Sequence, residues 1–111
     1  MHSWIKEFPF PITVCNEKGI IVEMNDASVK AFQDDGGETL IGSNLLECHP
    51  ESARSKLEEL LSTPRNNMYT IEKNGVKKLI CQSPLYTEGK FSGIVEISII
   101  LPSDTPHFIR R

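Results

Sequence analysis

The chain has 111 residues, of which 39% are hydrophobic, and a formal net charge of −3 at pH 7. This length suits one domain with its own core and is too short for two. The Lys and Arg residues form no basic stripe, no apolar run could span a bilayer, and the first residues lack the pattern of a signal peptide. We therefore expect a cytoplasmic protein with no direct nucleic-acid partner and no membrane partner.

The first part of the chain predicts a β-hairpin followed by a short helix. Apolar residues alternate over residues 8–16, a turn follows at Asn16 to Gly19, and residues 20–25 form the returning strand. Asn25 and Asp26 are suited to cap a short helix over residues 27–32.

The middle of the chain predicts helical structure. Residues 33–38 are acidic and rich in glycine, which is typical of a loop. Residues 40–48 suit one or two irregular helical turns, broken near Gly42. Pro50 and Glu51 favour the first turn of a helix over residues 50–62. Its buried stripe is predicted to contain Ala53, Leu57, Leu60 and Leu61.

The last part predicts three strands in a meander. Residues 67–73 alternate, Asn74 and Gly75 suit a tight turn, and a strand begins near Val76. A second turn at residues 87–90 leads into the strand of residues 90–101. Two strands, then helices, then three strands predict an α+β fold with an antiparallel sheet and helices packed on one face.

Nearly the whole chain resembles a PAS domain. The matching segments are FPITVCNEKGIIVEMNDAS, LIGSNLLECHPES and SPLYTEGKFSGIVEISI, in this order. The resemblance implies a five-stranded antiparallel sheet whose concave face, with the helices, encloses a small cavity. We expect one PAS domain over residues 1–111, with its core at residues 8–101, an N-terminal cap at residues 1–7 and a C-terminal tail at residues 102–111.

The resemblance implies a non-enzymatic sensory module for signal transduction or transcription regulation, which binds a small ligand in its core or mediates regulated protein association. A ligand-free interaction and dimerisation module is the alternative, and a haem-based sensor is the third choice. The chain lacks the family's Asp-Ile-Thr motif after the last strand, which ends at Pro102. We therefore expect the signal to pass to a signalling protein in trans, or to an effector domain if the chain is part of a longer protein.

Enzyme motifs and cofactor motifs are incomplete in this sequence. The run from Gly37 to Ser43 lacks the Lys of a phosphate loop. Leu45 occupies the position of the reactive Cys in photosensory flavin domains, so covalent flavin is disfavoured while noncovalent flavin stays open. His49 is the candidate haem ligand. The three cysteines have no metal-ligand spacing and are expected to be free thiols.

We expect the cavity to lie between the helices and one face of the sheet. The predicted lining consists of Val14, Met24, Val29, Phe32, Leu45, Leu57, Leu61, Tyr69, Ile71, Leu79, Cys81, Val95 and Ile97.

The opposite face of the predicted sheet is also apolar, and such a surface needs a cover. We expect a homodimer through this face and a short N-terminal helical turn. The predicted dimer surface consists of Trp4, Ile5, Phe8, Ile21, Ile80, Ile94 and Ile100.

Overall fold

The computed structural model describes residues 3–48 and 51–111, without the side chains of residue 48 and residues 51–53. The described residues form one antiparallel sheet of five strands in the order β2-β1-β5-β4-β3. The predicted α+β fold is therefore confirmed. The strands are β1 (Ile12–Asn16), β2 (Ile21–Met24), β3 (Asn67–Lys73), β4 (Val76–Thr87) and β5 (Lys90–Leu101). The α-helices are α1 (Ser3–Lys6), α2 (Asp26–Ala31) and α3 (Glu51–Ser62), and short 3₁₀ turns cover Gln33–Asp35, Gly37–Leu40 and Leu45–Cys48.

Two segments differ from their predicted structure. Strand β1 begins at Ile12 and not at residue 8. Pro9 and Pro11 explain the late start, since proline has no N–H to donate to a neighbouring strand. The segment of residues 33–38, predicted as a loop, contributes instead to two 3₁₀ turns. Pro50, the predicted first residue of α3, lies outside the described residues.

The register of the strands decides which side chains face the helices. Cys15 lies opposite Ile94, and directly opposed residues share one face of a sheet. Both residues pack in a buried cluster with Leu57 and Leu60 of α3. We call this helix-covered side the inner face. In its central strands it also carries Thr13, Ile80, Gln82 and Glu96.

The predicted assignment of the two sheet faces is wrong. Side chains alternate along a strand, so the neighbours of Cys15 and Ile94 point away from the helices. The residues that the prediction placed inside but that lie on this outer face are Val14, Leu79, Cys81, Val95 and Ile97. Conversely, Ile21, Ile80 and Ile94 are buried, with 3%, 7% and 3% of their surface exposed, and Ile94 and Ile80 lie on the inner face.

Asn25 joins the start of β1 to α2. Its Oδ1 accepts hydrogen bonds from the backbone N–H of Ile12 at 2.8 Å and of Ser28 at 3.0 Å. Its Nδ2 donates to the carbonyl oxygens of Phe8 and Phe10 at 3.3 and 2.9 Å. The predicted cap is thus confirmed, and the same side chain fixes the segment that leads into the sheet.

Strands β1 and β5 approach each other closely at Gly93. A Cβ atom on Gly93 would lie 1.9 Å from the carbonyl oxygen of Cys15. Only a hydrogen atom fits at this position, so the glycine permits the central pairing of the sheet.

No helix among the described residues combines the length and the apolar character that crossing a bilayer requires.

Candidate ligand-binding cavity

A cavity of about 410 Å³ lies between the inner face of the sheet and the segment that follows α2. The sheet supplies its floor, and the 3₁₀ turns with the end of α2 supply its walls. Its described lining consists of Thr13, Ile21, Met24, Phe32, Asp35, Leu40, Leu45 and Glu96. A cavity of this size, mostly apolar with a few polar groups, is typical of small-molecule sites.

The structure brings only part of the predicted lining to this cavity. Met24, Phe32 and Leu45 line it. Three further predicted residues, Val29, Leu57 and Leu61, belong to the adjoining hydrophobic core. Tyr69 and Ile71 lie on the inner face but on the edge strand β3, and they are 40% and 42% exposed. The five predicted residues on the outer face do not reach it.

Sequence reasoning missed the polar part of the lining. Thr13 and Glu96 stand opposite each other in β1 and β5, and both line the cavity. Each alternates with apolar neighbours, so the pattern assigned them to the solvent. The polar residues on the neighbouring strands could have indicated this polar lining, because Gln82 stands opposite Glu96 in β4 and Asn67 stands opposite Gln82 in β3.

These polar side chains form a hydrogen-bonded chain across three strands. Asn67 Nδ2 donates to Gln82 Oε1 at 2.8 Å, and Gln82 Nε2 donates to Glu96 Oε1 at 2.8 Å. Gln82 is only 3% exposed. These two hydrogen bonds therefore satisfy the buried amide of Gln82 and fix the carboxylate of Glu96 at the cavity floor.

Glu96 and burial together set the electrostatics of the inner face. Burial raises the pKa of the Cys15 thiol, with a smaller contribution from the charge of Glu96. Burial also raises the pKa of the Tyr69 hydroxyl, and the charge of Glu96 adds to this effect. Thr13 and Ser28 share a buried hydroxyl hydrogen bond of 2.5 Å.

A larger groove of about 860 Å³ lies on the surface beside α1, β2 and α2. The ion pair of Lys6 and Asp26, at 3.1 Å, joins two of its sides. This groove is more open to water than the cavity, and Val22 and Ile41 in its wall are exposed at 44% and 42%. Met24 lines both spaces. A molecule in the cavity would lose more of its contact with water than one in the groove.

The N-terminal aromatic residues lie together at the surface. Trp4 is 62% exposed, and its ring packs edge-on against Phe8 with centroids 5.7 Å apart. Phe8 packs in the same manner against Phe10 at 5.6 Å. Ile5 is partly buried, and Ile100 is 55% exposed on the inner face, which the prediction called outer.

The candidate haem ligand His49 lies outside the described residues. In the described part of the chain, no three His, Cys, Asp or Glu residues cluster as a metal site would require. Cys15 and Cys81 are free thiols, Cys15 being buried and Cys81 partly buried.

Solved structures share this fold at low sequence identity. The PAS domain of BvgS from Bordetella pertussis aligns with a TM-score of 0.67 and 23% identity, over 90% of this chain and 82% of that one. A sensory box sensor histidine kinase from Vibrio cholerae aligns with a TM-score of 0.63 and 20% identity, over 88% and 86%. The Aer2 receptor of Vibrio cholerae, a dual PAS-haem oxygen sensor, gives 0.60 and 17%, over 84% and 95%. No protein-family model and no curated protein matches the sequence.

The sheet order, the helices on its inner face and these likenesses define the fold of the protein. The chain has the fold of PAS domains, as its sequence predicted.

Proposed function

We propose that the chain is a sensory PAS module that binds a small molecule in the cavity and transmits the binding event to a signalling protein. The observation that carries this proposal is the cavity itself, about 410 Å³ enclosed by the inner face and the helical segment. Solved domains with this fold include parts of sensor kinases and a receptor, which supports a signalling partner. The proposed place of action is the cytoplasm, and the module has no catalytic role of its own.

A ligand can act as a signal only if it binds one state of the domain more tightly than another. The cavity suits this requirement because its walls come from separate elements. Thr13 and Glu96 belong to the sheet, whereas Phe32, Asp35 and Leu40 belong to the segment after α2. A molecule that contacts both favours one spacing between the sheet and that segment.

Cavity occupancy is tested with native mass spectrometry of freshly purified protein and a thermal-shift screen of metabolites. Leu40→Trp fills the cavity, while Ile41→Trp adds the same ring at the next residue, in the wall of the surface groove. We expect adducts or stabilising compounds with the natural chain and with Ile41→Trp, and their loss with Leu40→Trp. Loss with Ile41→Trp alone would move the site to the groove. Absence of any adduct and any hit with the natural chain would overturn ligand binding.

A homodimerisation module is the second candidate, and the composition of the outer face favours it. Ile12, Ile97, Cys81 and Met68 stand in one row across four strands. The row is apolar, and Met68 is 61% exposed. Ile12 is already buried at 6% exposed, so a second copy of the chain would remove Ile97, Cys81 and Met68 of this row from water.

The dimer is tested by light scattering after gel filtration at micromolar concentration. We expect twice the 12.5 kDa chain mass for the natural protein. Ile97→Lys places a charge in the outer row and should give one chain mass. Ile71→Lys adds the same charge at an exposed inner-face position on the edge strand and should leave the dimer intact. A natural chain of single mass, or equal effects of both variants, contradicts this candidate.

A haem-based sensor is the remaining alternative, with His49 as the proposed iron ligand. Reconstitution with haem should then give a Soret band that changes in His49→Ala. An unchanged band in the variant would remove His49 from this role.

A further inference from the structure

The cavity has an acidic polar side and an apolar side. Glu96 and Asp35 are the charged residues in its described lining, and no Lys, Arg or His of the described residues lines it. The apolar side is formed by Ile21, Met24, Phe32, Leu40 and Leu45. A ligand that fills this space meets negative charge at one end and hydrocarbon at the other.

The carboxylate of Glu96 is held in place and retains capacity to bind. Gln82 Nε2 donates to Oε1 of Glu96 at 2.8 Å, and the amide of Gln82 is itself fixed by Asn67. An ionised carboxylate has two oxygens with about four acceptor sites in total. A donor group on a ligand can therefore pair with Glu96 without displacing Gln82. Such pre-positioning lowers the entropic cost of binding.

Asp35 extends the acidic side toward the solvent. It belongs to the 3₁₀ turn Gln33–Asp35 that follows Phe32, and it is exposed, whereas Glu96 is half-buried. The two carboxylates thus stand at different depths of one cavity. Their combined field attracts a cation toward the mouth and repels an anion.

We propose that the cavity selects a small organic cation, an amine with a compact apolar body. Its ammonium group pairs with Glu96, and its apolar body packs against Phe32, Leu40 and Leu45. The ring of Phe32 suits such a ligand because an aromatic side chain offers a large apolar surface to the body of the amine. This inference rests on the proposed ligand-binding function. It also disfavours ligands that carry carboxylates or phosphates, since these would meet two negative side chains.

Three probes that differ in their terminal group separate charge from size. They are 2-phenylethylamine, 2-phenylethanol and phenylacetate, which are a cation, a neutral molecule and an anion at neutral pH. Binding is measured by calorimetry and by amide chemical shifts in ¹H–¹⁵N NMR spectra. The shift changes locate each probe, because Thr13 and Glu96 report on the cavity and Val22 reports on the groove.

Three variants remove one negative charge each. Glu96→Gln retains an oxygen that can accept from Gln82, so the fold should persist. Asp35→Asn acts at an exposed position and cannot leave a buried charge unpaired. Glu17→Gln, in the exposed turn after β1, is the matched control.

We expect the amine to bind the natural chain at least tenfold more tightly than the alcohol, and phenylacetate to bind weakest. Glu96→Gln should weaken the binding of the amine about tenfold or more, because the substitution removes a charge-assisted hydrogen bond. The alcohol should be little changed. Asp35→Asn should weaken the binding of the amine by a smaller factor, and this factor should grow as the salt concentration is lowered. Glu17→Gln should not change the affinity for the amine.

The failure modes are distinguishable. Equal binding of amine and alcohol in the cavity, unaffected by Glu96→Gln, would overturn the cation selectivity and leave ligand binding intact. Preference for phenylacetate would overturn it as well. If Glu96→Gln does not fold, the effect of Asp35→Asn on amine binding and the relative affinities of the natural chain for the three probes test the cation selectivity instead. Should no probe and no metabolite bind the natural chain, the ligand-binding function itself falls.

Discussion

Replacing Asn25 by Ala should be among the most damaging single changes in this domain. The side chain is fully buried, at 0% exposed, and its Oδ1 accepts from the N–H groups of Ile12 and Ser28. Alanine leaves both N–H groups without that acceptor at sites only 6% and 0% exposed. A buried donor without a partner costs about 1–3 kcal/mol. The lost bonds to the Phe8 and Phe10 carbonyls add less, since both residues are only half-buried.

The sum for Asn25→Ala is a loss of about 3–5 kcal/mol in the free energy of unfolding. Domains of this size have a total stability of about 5–15 kcal/mol, so the loss is a large share of it. Urea unfolding followed by far-UV circular dichroism measures it. With an m-value of about 2 kcal/mol per molar, a loss of 4 kcal/mol lowers the midpoint by about 2 M.

Asn16→Ala is the matched control for this measurement. Asn16 Oδ1 also accepts two backbone N–H groups, from Lys18 and Ile20, each at 3.0 Å. The Lys18 N–H lies in an exposed turn where water can replace the amide, so we expect a loss of about 1 kcal/mol. Equal losses for the two asparagine variants, or a loss below about 1.5 kcal/mol for Asn25→Ala, would refute the argument from burial.

Three further changes have expected outcomes. Gly93→Ala should lower the free energy of unfolding by about 3 kcal/mol or more, because the new Cβ would lie 1.9 Å from the Cys15 carbonyl oxygen. Gly89→Ala is the control: the space around Gly89 is open, so only its positive φ should lower the free energy of unfolding, by about 1 kcal/mol. Denaturant midpoints compare the two variants, and similar losses would contradict the steric reason. Burial raises the pKa of the Cys15 thiol, so iodoacetamide should label Cys15 in urea and not in the native state, as peptide mass mapping would show. The hydrogen bond and charge of Arg65 lower the pKa of Glu59, so this pairing stabilises the fold at neutral pH and is lost as the pH falls through the lowered folded-state pKa. Arg65→Ala should move that pKa back up in an NMR titration, and an unchanged pKa would show that the pairing is absent in solution.

The sequence predicted the order and kind of the elements well because local signals and tertiary packing agree for most of them. Strands β3 and β5 have the predicted bounds, and Asn25 caps α2 as expected. The 3₁₀ turns around residues 33–40 were missed. Their hydrogen bonds span three residues and leave no hydrophobic period that a pattern could reveal.

The sequence could not predict the orientation of the sheet. Alternation in β5 separates two faces, but the odd-numbered face with Val95 and Ile97 is the more apolar one, so the pattern predicts this face as the core. The helices cover the even face, where Glu96 and Gln82 satisfy each other's hydrogen bonds. Pairing among the consecutive strands β3, β4 and β5 makes this burial possible, and the residue pattern within one strand does not show it.

A shift of register adds a second reason for the error. The pairing of β1 with β2 is irregular between Val14 and Cys15. Met24 pairs with Thr13 and Ile21 with Cys15, so both apolar residues of β2 reach the inner side although they are three positions apart. Strict alternation would place them on opposite sides, and only the bulge reconciles them.

The hydrogen-bonded chain of Asn67, Gln82 and Glu96 has a fixed polarity, and one ionised group dictates it. A carboxylate has no proton to give, so Gln82 must turn its NH₂ toward Glu96 and its oxygen toward Asn67, which in turn must offer its own NH₂. Three side chains on three strands thus share one orientation. Replacing Glu96 by glutamine would remove that constraint for all of them at once, so a change at this one residue can alter the amide orientation as far away as β3, the outermost strand of the sheet.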